Sequence, residues 1–215
     1  MMVFRTKRLP IIVAAATLIL CAVALTACWP SDPLEQAAIR RHGVDMMDAT
    51  DLPFGWGHRW SDSIKTTDGF GQRVTYYGAN PRSQPYVNVS QRIVYYRTVA
   101  QSQAAYQAAV AQAIPAAYAD KWVRPPELDF PSRADEMTIA CLPGRMEGIY
   151  LRSCSFIARY DDAVMILYAN VFEDRWLTMA QFRRLLERVD KRMDDGRVPQ
   201  SQPPAAPTSG SPEGQ

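Results

Sequence analysis

The chain has 215 residues, 47% of them apolar and 21% charged, with a formal net charge of +2. That is room for one domain and not for two large ones, and the apolar content is too high for a chain that stays unfolded. Four cysteines exclude a disulfide-dense miniature scaffold, and two histidines against sixteen prolines argue against a histidine-rich metal enzyme.

Arg5, Lys7 and Arg8 open the chain with positive charge, and Leu9 to Ala27 follows without a single charged side chain. A basic start, an apolar run and small residues before a cut are the parts of an export signal, whose cationic end is retained in the cytoplasm. The run closes on Leu25-Thr26-Ala27-Cys28. These four residues resemble the lipobox of bacterial lipoproteins. The resemblance implies that residues 1–27 are a signal peptide, removed by a cut before Cys28. Cys28 then becomes the N-terminus and carries the lipid, palmitate included. A buried methylene contributes about 0.8 kcal/mol, and more than one acyl chain makes the attachment stable. Two other readings stay open. Leu9 to Ala27 is also long enough to span a bilayer uncleaved, and an ordinary secretory cut near Ala27 would leave Cys28 free. All three put the remainder outside the cytoplasm.

Loss of 1–27 changes the charge. Taking its three basic residues from the total of 24 leaves 21 Lys and Arg against 22 Asp and Glu, a net charge of −1. No basic surplus remains for nucleic acid or for a polybasic membrane patch. Cys21 leaves with the signal and Cys28 is lipidated. Cys141 and Cys154 are then an even pair in an oxidising compartment, and a disulfide between them is expected.

Residues 28–32 form a short lipidated tether, reaching about 15 Å when extended. The folded body, 33–196, therefore lies close to the membrane. Asp32-Pro33-Leu34-Glu35 reads as a helix start, with Asp32 as cap and Pro33 at the first position. That helix is expected to run to about Asp48. Asp51 to Trp60 is a Gly, Pro and aromatic loop. Strands follow over Trp60 to Thr66, Arg73 to Gly78 and Tyr86 to Thr98, the last with Val87, Val89, Gln91 and Ile93 on one face. Ser102 opens a second helix, in which Tyr106, Ala109, Val110, Ala113, Ile114 and Ala117 make one apolar face. Its alanines let a sheet approach closely, and Pro115 kinks or ends it.

After an extended connection over 124–132 come Glu136 to Leu142, Gly148 to Tyr160 and Ala163 to Phe172. Turns are expected at Pro143-Gly144 and Asp161-Asp162. Val164-Met165-Ile166-Leu167-Tyr168 has no charged position and is expected to be buried on both faces in mid-sheet, under a helix. The final helix carries a Thr178/Gln181 capping box, Leu177 and Phe182 as a hydrophobic staple, and Gly196 as its stop. Residues 197–215, rich in Pro, Ser and Gly, read as a disordered tail. No repeat of solenoid or propeller period is present. The whole is an α+β domain: a mostly antiparallel sheet of about five to six strands with two or three packed helices.

Three groups stand out as candidate sites. Phe54, Trp56, His58 and Trp60 form an aromatic cluster. If the segment is extended, Trp56, His58 and Trp60 share a face that could bind a glycan or an envelope protein. The competing account has these rings closing the end of the core. Tyr76, Tyr77, Tyr86, Tyr95 and Tyr96 fit a pocket wall or ordinary strand composition. Asp161-Asp162, Glu173-Asp174 and Asp194-Asp195 fit acid–base pairs or local turn chemistry. No nucleophile elbow, zinc-protease motif or phosphate loop appears. No catalytic residue, metal ligand or cofactor is therefore assigned.

In element order alone, the three-strand meander and closing helix resemble extracytoplasmic sensor domains linked to bacterial receptor kinases. The reading favoured is a lipid-anchored binding or scaffold domain, with the membrane as one partner and no nucleic acid. The alternative is an envelope hydrolase or transferase using His58 with Asp51 or Asp62. A purely structural lipoprotein is a third.

Overall fold

A computed structural model describes residues 32–78, 87–146 and 148–197 of the chain, without the side chains of His58, Arg59 and Met146. Cys21, Cys28, the apolar run 9–27, Tyr86 and the tail 198–215 lie outside the described residues. Among the described residues no helix is long and apolar enough to cross a membrane.

The domain is α+β, a six-stranded antiparallel sheet with three α-helices. Helix α1 is Pro33–Asp45; β1 is Trp56–Lys65, β2 Gly69–Gly78 and β3 Asn88–Tyr96; α2 is Val99–Ala113. Then come β4 Glu136–Met146, β5 Ile149–Tyr160, β6 Ala163–Phe172 and α3 Met179–Asp195. The strands lie in the order β1-β2-β3-β6-β5-β4, so two three-strand meanders join through their third strands.

Two helix starts form as the sequence predicts. The Asp32 carboxylate accepts from the Leu34 amide, and Pro33 occupies the first turn, where its missing N–H costs nothing. Thr178 and Gln181 close both halves of the capping box on α3. Helix α1 stops at Asp45, three residues short of expectation, because the chain turns there to seat Met46 and Met47 in the core. Helix α2 starts three residues early, with Thr98 as its cap. β4 runs on past Pro143-Gly144, pairing Pro143 with Arg152, so the turn falls beyond Met146. An edge strand tolerates a proline because no partner needs its N–H.

One sheet face carries the main core. Val74, Val89, Ile93, Met165, Leu167, Phe156 and Ala158 point into it from four strands. Phe182, Leu185, Leu186, Val189 and Met193 of α3 cover them at helical period, as expected. Two tyrosines tie the helices to the sheet. Tyr95 and Tyr160 stand on either side of Ala163 in the register. Tyr95 donates to the Asp45 carboxylate on α1, and Tyr160 to the Asp190 carboxylate on α3 at 2.7 Å. Asp190 also accepts from Ser132 Oγ and the Arg133 amide. Burial beside these carboxylates pushes both phenols above their ordinary range.

Helices α1 and α3 meet at Asp45. A Cβ on Gly196 would lie 2.2 Å from Asp45 Oδ1, so no other residue fits without a shift. Gly196 itself is right-handed, at φ −80°. It ends the helix as expected, and the close approach to Asp45 is what requires a glycine there. Arg197, placed in the tail by the sequence, is instead held by Asp135 and Asp194.

Cys141 and Cys154 face each other across β4 and β5 and form a disulfide, fully buried, with Cα atoms 4.1 Å apart. The loop it closes has about the length at which the chain-entropy model gives roughly 3 kcal/mol. Replacing both cysteines by alanine is expected to lower unfolding stability by about that amount in urea titrations, with the sheet retained by circular dichroism.

His42 supplies a pH dependence. It sits beside Arg41 with its ring 5.2 Å from that of Tyr95, and burial followed by the Arg41 charge lowers its pKa from 6.5 to about 4. The folded state thus resists protonation more than the unfolded one. Its contribution is complete above pH 6.5 and is lost as pH falls toward 4. Asp45, raised mainly by burial, works in the opposite sense, but it is present in both proteins of a comparison. The stability difference between wild type and His42→Gln should therefore shift by about 2 kcal/mol across that interval, partial exposure allowed for. Urea midpoints measured across it provide the check.

Candidate functional site

The second sheet face is built differently. Its residues are the alternate positions of the same strands, and many are polar. One row runs Trp60, Thr75, Ser90, Tyr168, Ser155 across five strands. The next runs Asp62, Arg73, Arg92, Ile166, Ile157. Helix α2 lies over part of this face. Tyr106 packs with Ile157 and Val164, and its hydroxyl bonds Thr138 Oγ1 at 2.8 Å. Of the apolar face predicted for α2, only Tyr106 is fully buried. Toward its C-terminal end, Ala109 and Ala113 are too small to reach the floor of the sheet.

The gap is a cleft of about 540 Å³, within the usual range for small-molecule sites. The floor is Ser90, Arg92, Ser153, Ser155, Ile166 and Tyr168, with Arg73 at one side. Ala109, Gln112, Ala113 and Trp122 form the roof, and Leu142 closes the far wall. β6 is therefore central and under a helix, as expected, yet buried on both faces only in part: Ile166 and Tyr168 remain half-open to the cleft.

Most polar groups of the floor are engaged with one another. Ser90 Oγ lies 3.0 Å from Thr75 Oγ1. Tyr168 and Ser153 both donate to Asn170 Oδ1, each at 3.1 Å. Arg73 and Arg92 stand directly opposite in the register of β2 and β3. Asp62 holds Arg73 through two bonds, of 3.1 and 3.0 Å, while Trp60 stacks on its guanidinium at 4.8 Å.

The aromatic cluster does not form one face. The register slips between Trp56 and His58, leaving Gly57 as the extra residue of a bulge. Trp56 thereby turns into the core, 6% exposed, and lies over Gly78, where a Cβ would meet the indole at 2.7 Å. Trp60 keeps the alternate phase, on the opposite face, 46% exposed. His58 pairs with Tyr77 in the backbone register. Phe54 is fully exposed ahead of β1.

The other candidates are also dispersed. Asp51 caps its own turn and pairs with Arg192 at 2.8 and 2.9 Å, while Asp62 is held by Arg73. The two carboxylates offered as partners for His58 thus each have a structural arginine. Tyr76 and Tyr95 are core residues, whereas Tyr96 packs under α2. Asp161-Asp162 makes the β5–β6 turn, with Asp161 at φ 50°, and pairs with Arg197 and Arg41. Asp194 and Asp195 bind Arg133 and Lys191. Among the described residues, no group of three or more His, Cys, Asp or Glu could hold a metal ion.

No protein-family model matches the chain, and no curated protein matches it in sequence.

Arg92, Ser153, Ser155 and Trp122 were not singled out from the sequence. Polar residues alternating along a strand read as a solvated face. The signal that bore on the cleft was the alanine run of α2, which has too little volume to fill what it covers. The two tryptophans are separable by experiment. Trp56→Ala should cost about 3–5 kcal/mol, and Trp60→Ala no more than about 1, in thermal unfolding.

Proposed function

We propose that this protein is a lipid-anchored extracytoplasmic binding domain of the bacterial cell envelope, whose ligand seats between α2 and the polar face of the sheet. The cleft carries this reading. It combines volume, a largely apolar roof and wall, and a few polar groups, the usual make-up of a small-molecule site. The residues Leu25-Thr26-Ala27-Cys28 support the anchor, and the Cys141–Cys154 disulfide supports an oxidising compartment. The tether between Cys28 and α1 is four residues long, so the body rides close to the lipid surface. From there it can sample molecules at the membrane face and hold or present them.

Two measurements test this. Cells fed labelled palmitate should yield labelled wild type and unlabelled Cys28→Ala; unlabelled wild type overturns the anchor. Native mass spectrometry of the protein purified from its host should find a bound small molecule that the cleft-filling variant Ala113→Phe no longer retains. Retention by that variant at unchanged melting temperature overturns the cleft as the binding site.

A further inference from the structure

The charge inside the cleft is not balanced. Two arginines directly opposite on neighbouring strands repel, a destabilising arrangement unless something offsets it. Asp62 offsets Arg73 with a bidentate ion pair. Nothing comparable serves Arg92. Among the described residues no ion pair involves it, and its Nε is buried without a hydrogen-bond partner. A guanidinium with an unsatisfied buried N–H carries a real desolvation cost. It also lines the cleft, next to Ile166 in its own row. The cleft floor also carries Ser155, 6% exposed. The apolar surface lies on the other side, from Ile166 to Leu142, under Ala109, Ala113 and Trp122.

We infer that the cleft takes an anionic amphiphile. A carboxylate or phosphate head sits on the Arg92 guanidinium, and a short apolar body lies under α2 against Ile166, Leu142 and Trp122. This rests on the cleft being the binding site and adds the class of its ligand. Arg92 supplies one positive charge that no ion pair among the described residues compensates, so one anionic head offsets it. Guanidinium presents a planar fork that suits carboxylate and phosphate oxygens. The Arg73–Asp62 pair beside it is already closed and limits the head to one site. The same chemistry is available from a free metabolite or from an anionic lipid whose head enters the cleft.

Calorimetric titration of the protein in phosphatidylcholine nanodiscs distinguishes the cases, with octanoate, octyl phosphate, octanol and inorganic phosphate as probes. Octanoate or octyl phosphate should saturate one site, with octanol and inorganic phosphate at least about tenfold weaker, because each lacks one half of the recognition. Arg92→Gln should weaken the anionic amphiphiles roughly tenfold or more and leave octanol unchanged. Ala113→Phe should abolish binding of all probes. If Arg92→Gln does not fold, Arg92→Lys, which keeps the charge and loses the fork, should weaken binding by a smaller factor. Nanodiscs containing phosphatidylglycerol separate the sources: competition with octyl phosphate there assigns a lipid, and its absence a free molecule. Equal affinity for octanol and octanoate, insensitive to Arg92 but blocked by Ala113→Phe, overturns the anion and leaves the cleft standing. Binding that survives Ala113→Phe overturns the cleft itself. Absence of saturable binding by either anion also overturns the anionic assignment.

Discussion

The architecture depends on two tyrosines that reach out of the sheet to buried aspartates. Tyr95 and Tyr160 flank Ala163, the small residue at the start of the central strand β6. Each hydroxyl meets a carboxylate from a different helix, Asp45 of α1 and Asp190 of α3. A buried carboxylate is expensive unless its oxygens find donors, so these contacts restrict where each helix can lie. Apolar packing alone would let α3 slide along the sheet, since Leu and Val tolerate many registers. The hydrogen bonds select one. The bare Cα of Gly196 then lets α3 end against Asp45, and Arg192 reaches Met46 O and Asp51 to secure the segment leading into β1.

With that face sealed by two helices, the other face is covered, among the described residues, by α2 and by Trp122 beyond its end. The contrast lies in side-chain volume. Helix α3 brings Phe, Leu, Val and Met to the core face, while α2 brings mainly alanine and one tyrosine. Tyr106 fixes the N-terminal half of α2 to β5 and β6, and the alanines hold its other half above a floor of hydroxyls and arginines. The cleft is thus a consequence of an under-filled helix–sheet layer. The sheet thus has one face that is oily and closed and another that is polar and partly roofed.

Much of the fold was legible in the sequence. The boundaries of β6, the Thr178/Gln181 cap and the inward face of α3 follow from local pattern, the Cys141–Cys154 pairing from the count of cysteines, and the structure has each of them. The site was far less legible, for two physical reasons. Alternation gives the phase of a strand only while its register is unbroken, and the bulge at Gly57 reversed the phase between Trp56 and Trp60. Periodicity also cannot say which polar face is roofed. Ser153 and Ser155 on β5 become neighbours of Ser90 and Arg92 only because β6 inserts between β5 and β3, a long-range pairing that no local window contains.

That pairing has a further bearing on how the chain acquires its shape. The seam between β3 and β6 matches Val89 with Ala169, some eighty residues later. Synthesised from the N-terminus, the first meander must wait with one long side unzipped until nearly all of the body has emerged. Such distant closure makes for slow acquisition of structure. Until β6 is made, the first half of the sheet has little reason to lock, and the seam that β6 forms with β3 is what completes the body.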